Sequence, residues 1–193
     1  ILNVIGSEVP TAKSAAYVKL VFNTIQELIS QGQIAAGHDV ASGGLITTLL
    51  EMCFADTQLG ASLDLSEVGS SFLNLLFAEN CGLVIQASED TELEKVLSEK
   101  NIEYFKIGSV TEGDQLQITH KETFEEFNIP EYRDIWYHTS YLLDQKQSGP
   151  EKALERFQNY KNQPLTYKFP AHFTGKLPQW DTSKPRIKAA VIR

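Results

Sequence analysis

The sequence has little from which to build a metal cluster, a disulfide framework or a membrane span. Cysteine occurs twice, at Cys53 and Cys81, with no CxxC spacing and no second pair. That scarcity argues against a zinc site and a disulfide scaffold, and it reads as two reduced thiols in a cytoplasmic protein. No apolar run approaches the roughly 18 residues needed to cross a bilayer, and no signal-peptide pattern opens the chain. Basic patches interleaved with aromatics are missing as well. With 17 Lys and Arg against 25 Asp and Glu the net charge is −8, which repels nucleic acid and anionic membrane surfaces alike. Neither is an expected partner.

Catalytic signatures are equally sparse. The chain has no GxSxG, no GxxxxGK[ST] phosphate loop, and no His motif placed beside either cysteine. It therefore offers no sequence argument for catalysis of its own, and no catalytic residue is assigned.

What remains is an ordinary soluble composition, 42% hydrophobic and 22% charged over 193 residues. That is enough for one domain with a sizeable core plus appendages. Pro10 and Thr11 start a helix, with Thr11 able to cap it, and Val18, Val21, Phe22, Ile25, Leu28 and Ile29 recur at helical spacing up to Gly32. A short apolar strand follows at Ile34–Asp39, then an amphipathic helix at Gly43–Ala55 with Leu45, Ile46, Leu49, Leu50 and Cys53 on one face. Strands are expected at Ala61–Leu65, Leu83–Ala87, Tyr104–Val110, Gln115–Thr119 and, more weakly, Lys121–Asn128. Helices are expected at Ser70–Glu79 and Thr91–Lys100. Gly113-Asp114 suits a hairpin turn between the strands on either side of it. The mixed order of elements predicts an α+β sandwich with a mixed sheet over residues 1–128.

Beyond Asn128 the character changes. A long helix carries Tyr132, Ile135, Trp136, Thr139, Leu142 and Leu143 as an apolar stripe expected to dock on the sheet or on a neighbouring domain, and Pro150–Tyr160 forms a second helix. Together residues 129–160 read as a helical extension, and residues 161–185 as an irregular linker. Residues 186–193 read as a strand. The start at Ile1 and the unpartnered terminal strand suggest a piece of a longer polypeptide.

One corner concentrates chemistry. In HDVASGGL, His38 and Asp39 end a strand, Ala41 and Ser42 form a small loop, and Gly43-Gly44 open a helix. A helix start presents unpaired backbone N–H groups and the positive end of the dipole, and glycines let an anion approach. Ser42 can cap the helix or donate to an oxygen. Asp39 is placed where a carboxylate can share Mg²⁺ with phosphate oxygens and water. Close helix–strand packing would demand the same glycines, so a binding corner and a tight corner both remain open. His38 alone reads as a satisfied structural group.

These residues carry a resemblance. HDVASGGLITTLLEMCFA resembles the HD-x-S-D-G-G-L…E-M-A-F-A signature of the carboxyl-terminal domain in the AIR synthase superfamily, and LLFAENCGLVIQ resembles its LF-x-E-x-x-G segment. RDIWYHTSYLLDQKQ is similar to the W-x-x-T-S-x-x-L helix of the large-type phosphoribosylformylglycinamidine (FGAM) synthase family, and KPRIKAAVIR to the first strand of that family's glutaminase domain. The resemblance implies the second AIR-synthase-like carboxyl-terminal domain of such an enzyme with its linker to the glutaminase. That family is an ATP- and glutamine-dependent C–N ligase converting formylglycinamide ribonucleotide to FGAM in purine biosynthesis. Its partners would be the other domains of the same polypeptide: the AIR-synthase-like amino-terminal domains and the glutaminase.

By the same resemblance the corner belongs to an auxiliary site for Mg²⁺ and ATP or ADP. Asp39 matches its metal ligand, while Ala41, Ser42, Gly43 and Gly44 match the nucleotide-binding positions. The sequence departs from the motif twice, with Ala41 in place of Ser and Ser42 in place of Asp. The piece alone is expected to be inactive. A purely structural domain without nucleotide, or a domain of another superfamily kinase or synthetase, are the alternatives.

Overall fold

The computed structural model describes residues 12–55, 58–69, 71–88, 92–162 and 168–175. Helix α1 (Ala15–Ser30) begins at Ser14, whose hydroxyl accepts from the Tyr17 N–H at 3.1 Å. The expected cap at Thr11 lies outside the described residues, and Ser14 fills that role. The other end follows the expectation. Gly32 takes φ 71°, its N–H donates to Ile29 O, and the Gln33 N–H donates to Leu28 O. Those two bonds close a left-handed helix end that a side chain would disfavour.

The chain continues through β1 (Ile34–Asp39), α2 (Gly44–Cys53), β2 (Leu59–Asp64), α3 (Phe72–Phe77), β3 (Leu83–Ala87) and α4 (Leu93–Glu99). Three further strands follow, β4 (Gly108–Glu112), β5 (Gln115–His120) and β6 (Thr123–Asn128), and then the helices α5 (Ile129–Ser148) and α6 (Pro150–Asn159). Strands β1 and β3 pair antiparallel as a two-stranded sheet. The other four form a mixed sheet in the order β4-β2-β5-β6, in which only β2 and β5 run parallel. The fold is α+β, as the order of elements predicts.

The expected hairpin at Gly113-Asp114 does not form. β4 and β5 lie on opposite sides of β2, so the Gly113-Asp114 loop straddles the start of that strand. The Gly113 N–H donates to Gln58 O at 2.9 Å, just ahead of β2. Gly60 permits the crossing, because a Cβ there would collide with the Gln115 carbonyl. The hairpin of this sheet is instead β5–β6, closed by Lys121-Glu122 with Lys121 at φ 56°.

Two apolar cores result. The larger joins Ile46, Leu49 and Leu50 of α2, Leu76 of α3, Leu63 and Leu65 at β2, Leu116 and Ile118 of β5, and Ile129 at the start of α5. β5 shows the alternation of a half-buried strand, with Leu116, Ile118 and His120 turned inward. His120 is satisfied there by Gly69 O at 2.9 Å and by stacking on Phe72. The smaller core sets Leu28 of α1 against Leu93, Leu97 and Ile102, with Ile34 of β1 and Ile85 of β3 alongside.

Asn128 caps α5 by accepting from the Glu131 N–H at 3.0 Å. The apolar stripe of this helix docks only in part. Tyr132 packs edge-on against Phe127 and Trp136 tilts onto Phe54, but Ile135, Leu142 and Leu143 stay exposed. A different face of α5 meets α6, where Tyr137 stacks on Tyr160 and Tyr141 on Phe157. The Arg156 guanidinium clasps both carboxylate oxygens of Asp144 at 2.6 and 2.7 Å. That contact, then the Ser148 hydroxyl, holds the Asp144 carboxyl below its ordinary range. Burial and then the Asp134 carboxylate push Tyr160 up to about 12.

Thr24 on α1 is buried, and its hydroxyl has no hydrogen-bond partner among the described residues. Replacing it by the similarly shaped valine removes an unmade donor, so Thr24→Val is expected to raise stability by about 1 kcal/mol in urea denaturation. A loss of stability would reveal a partner for that hydroxyl.

Candidate functional site

The corner between β1 and α2 is held by backbone bonds. The Val40 N–H donates to Gly82 O at 2.9 Å and the Gly44 N–H to Ala41 O at 3.0 Å, which folds Ala41 and Ser42 into an exposed turn. Ser42 does not cap the helix. Gly43 occupies the N-cap at φ 89°, and no side chain of the turn reaches back to it. The backbone needs a left-handed residue there, which a serine cap in extended conformation cannot supply.

Each glycine has a packing reason. Gly44, at φ 75°, is buried against the end of α3, and an added Cβ would stand 2.6 Å from the Leu76 carbonyl oxygen and 2.8 Å from the Phe77 backbone. At Gly43 an added Cβ would strike the Thr47 hydroxyl. The close approach of α2 to α3 therefore accounts for Gly44 without any ligand.

A carboxylate already sits at the helix start. Glu79 Oε1 accepts from the Gly43 N–H at 2.9 Å, across 36 residues of sequence. With the Gly44 N–H also taken, the N–H groups of Leu45 and Ile46 are the two at this end for which an α-helix supplies no acceptor. Asp39 projects from the end of β1 with its side chain 73% exposed, its Oδ1 3.7 Å from His38 Nδ1.

Behind Asp39 runs a connected set of polar groups. His38 Nδ1 lies 2.7 Å from the Asp39 carbonyl oxygen, and His38 Nε2 lies 3.2 Å from Glu51 Oε2. The other oxygen of Glu51 accepts from Trp136 Nε1 at 2.8 Å. Thr48 Oγ1 donates to the Asp39 carbonyl at 3.1 Å, which ties the strand end to α2.

The electrostatics favour a cation over a bare anion. The positive end of α2 attracts phosphate, yet Glu79 offsets it and Asp39 adds a second negative charge beside it. Among the described residues no three His, Cys, Asp or Glu side chains gather into a metal cage. One exposed carboxylate nevertheless suits Mg²⁺, which uses one or two carboxylates and fills its remaining positions with phosphate oxygens and water. Two concavities among the described residues lie away from this corner, one of about 310 Å³ between α5 and α6 and one of about 400 Å³ beside β2 and β4. These residues can supply one side of a site for a metal-bound phosphate.

Asp39, Ala41, Ser42, Gly43 and Gly44 are thus gathered at one place, being nearly consecutive. Sequence reasoning missed Glu79, Glu51 and Trp136. Glu79 stood in the quoted LLFAENCG segment, but only the fold brings it to Gly43. Glu51 lies off the apolar face of α2, and its partners come from β1 and from α5, 85 residues along the chain.

Residues 3–121 match the family described as AIR synthase related protein, C-terminal domain. The chain belongs to this family. A probable phosphoribosylformylglycinamidine synthase, chloroplastic/mitochondrial, of Arabidopsis thaliana is 33% identical over 98% of this chain. The chain spans 14% of the length of that relative. Among solved structures, PurLQS from Thermotoga maritima aligns with a TM-score of 0.53 at 14% identity, over 64% of this chain and 23% of that one. T. maritima PurL complexed with FGAR gives 0.53 at 15% identity, over 64% and 22%. At these identities the likeness concerns the fold, and it agrees with the α+β architecture. None of the helices among the described residues is long and apolar enough to cross a membrane. Cys53 and Cys81 are both free thiols, and burial raises the Cys53 thiol above its ordinary range.

In this domain Gly44→Ala is expected to cost about 3 kcal/mol, from left-handed strain and the clash with Leu76. Gly32→Ala, with open space around it, is expected to cost only about 1 kcal/mol. Urea midpoints of the two variants check this; equal losses would contradict the packing account of Gly44.

Proposed function

We propose that the chain is the second AIR-synthase-like carboxyl-terminal domain of an FGAM synthase, joined to its helical extension and linker, and that it contributes one side of an auxiliary magnesium-nucleotide site. The observation that carries the reading is the 33% identity extending over 98% of the chain, so that the helices beyond the family domain are included with it. The names of two related Thermotoga structures, PurL complexed with ATP and PurL complexed with ADP, are in keeping with a nucleotide on this fold.

In this reading the whole polypeptide is an ATP-dependent ligase of the glutamine amidotransferase type, working on formylglycinamide ribonucleotide in purine biosynthesis. The present residues carry none of the reacting groups. Asp39 would hold Mg²⁺, the turn at Ala41 and Ser42 would face the nucleotide, and the α2 start would meet its phosphates with the N–H groups of Leu45 and Ile46. The metal, when bound, supplies the positive charge that allows a phosphate to lie beside Asp39 and Glu79. The remaining walls would come from other domains of the polypeptide, the AIR-synthase-like amino-terminal domains first and the glutaminase next. The cytoplasm is the compartment that two unpaired cysteines and this chemistry suggest, while the Arabidopsis relative is named as chloroplastic/mitochondrial.

One observation favours a second reading, a structural domain that binds no nucleotide. Glu79 already satisfies Gly43, and Ala41 has no hydroxyl to offer. Retention of ADP by the intact polypeptide separates the two. Wild-type protein is expected to hold ADP through gel filtration in magnesium and lose it in EDTA, and Asp39→Asn is expected to weaken that binding about tenfold or more. Equal retention by wild type and variant, or none by either, would favour the structural reading.

A further inference from the structure

Glu51 stands between two groups that belong to different parts of the molecule. On one side is His38 at the end of β1, and on the other is Trp136 on α5. Each of its carboxylate oxygens has its own partner, Oε2 with His38 Nε2 at 3.2 Å and Oε1 with Trp136 Nε1 at 2.8 Å. The Glu51 side chain is 26% exposed and that of His38 34%, while Trp136 on the other side is half exposed. The partly buried His38–Glu51 contact is screened less than a surface pair. Helix α5 also grips the end of α2 independently of Glu51. Arg133 donates to Phe54 O at 3.0 Å, and the Trp136 ring lies 5.5 Å from the Phe54 ring. The indole is therefore fixed in place before its N–H reaches the carboxylate.

We propose that Glu51 is a positioning residue through which α5 sets the orientation of His38, and with it the strand end that carries Asp39. The proposal rests on the magnesium-nucleotide reading of the corner and extends it, by making the helical extension part of what holds the ligand-bearing carboxylate in place. His38 closes the path, because its Nδ1 lies 2.7 Å from the Asp39 carbonyl and 3.7 Å from Asp39 Oδ1. The order of contact is Trp136, Glu51, His38, Asp39. A carboxylate with 73% of its side chain in solvent has many orientations open to it, and ordering it beforehand removes part of the entropic cost of coordination. Gln in place of Glu51 keeps the shape and removes the negative charge and one of the two acceptor oxygens. Phe in place of Trp136 keeps an aromatic ring against Phe54 while removing the indole N–H together with part of the indole's volume.

The test uses the intact polypeptide that carries these residues, with Mg-ADP as the probe, and compares wild type, Glu51→Gln, Trp136→Phe and the double variant. Affinity is read by calorimetry, backbone exchange of the 38–45 segment by hydrogen-exchange mass spectrometry, and integrity by melting temperature. Each single variant is expected to bind Mg-ADP about tenfold more weakly and to exchange faster at 38–45 without ligand, with melting temperature within about 2 °C of wild type. The double variant is expected to lose no more than the worse single one, because both break the same path. Unchanged affinity and exchange in the variants, with wild type binding normally, would overturn the proposal alone. Losses that add in the double variant and follow a falling melting temperature would also overturn it, by reducing Glu51 to a structural tie. Wild-type protein that binds no Mg-ADP would remove the nucleotide reading, and the proposal with it.

Discussion

The close approach of α2 to the end of α3 at Gly44 is the constraint on which the corner depends. With no room for a Cβ beside the Leu76 carbonyl, the helix starts hard against α3 and its axis is fixed relative to β1. Three consequences follow from that one contact. Gly43 is forced into a left-handed N-cap, its N–H is aimed at Glu79 on the segment leaving α3, and Asp39 is left at the strand end with its carboxylate in solvent. The same helix buries Ile46, Leu49 and Leu50 in the larger core, so the geometry of the corner is anchored by the hydrophobic interior.

That arrangement also explains why a metal-bound phosphate fits better than a bare one. The α2 dipole alone would attract an anion, but Glu79 has taken the first N–H and Asp39 stands alongside. A divalent cation would reverse the repulsion and would give Asp39 a role that packing does not. Ala41 and Ser42 matter less in this account, since the turn can contribute backbone groups whatever its side chains.

Much of the fold was legible in the residues. β1 and β3 were readable to their terminal residues because each is a short apolar run bounded by turn formers, and α5 followed from a long periodic pattern ending at Gly149. Pairing was not legible. Gly113-Asp114 has the local chemistry of a hairpin, and nothing nearby in sequence says that β2 will lie between the two strands it joins. The site divides the same way. Asp39 and the glycines lie within one short motif, whereas Glu79 comes from 36 residues away and Trp136 from 85 residues beyond Glu51. Of the two roles open to Ser42, capping is a property of its side chain, while the backbone at the cap needs a residue that tolerates positive φ, which Gly43 supplies.

The helical extension is more than a spacer, since it reaches the corner through Trp136 and braces the end of α2 through Arg133. The central claim, that this corner takes a metal-bound nucleotide, is tested most directly by crystallising the intact polypeptide with Mn²⁺ and ADP and locating the manganese by its anomalous scattering. The account predicts a peak about 2 Å from an Asp39 carboxylate oxygen, with a phosphate of ADP on its far side. Manganese bound elsewhere with Asp39 left in water, or no peak near the start of α2, would contradict it.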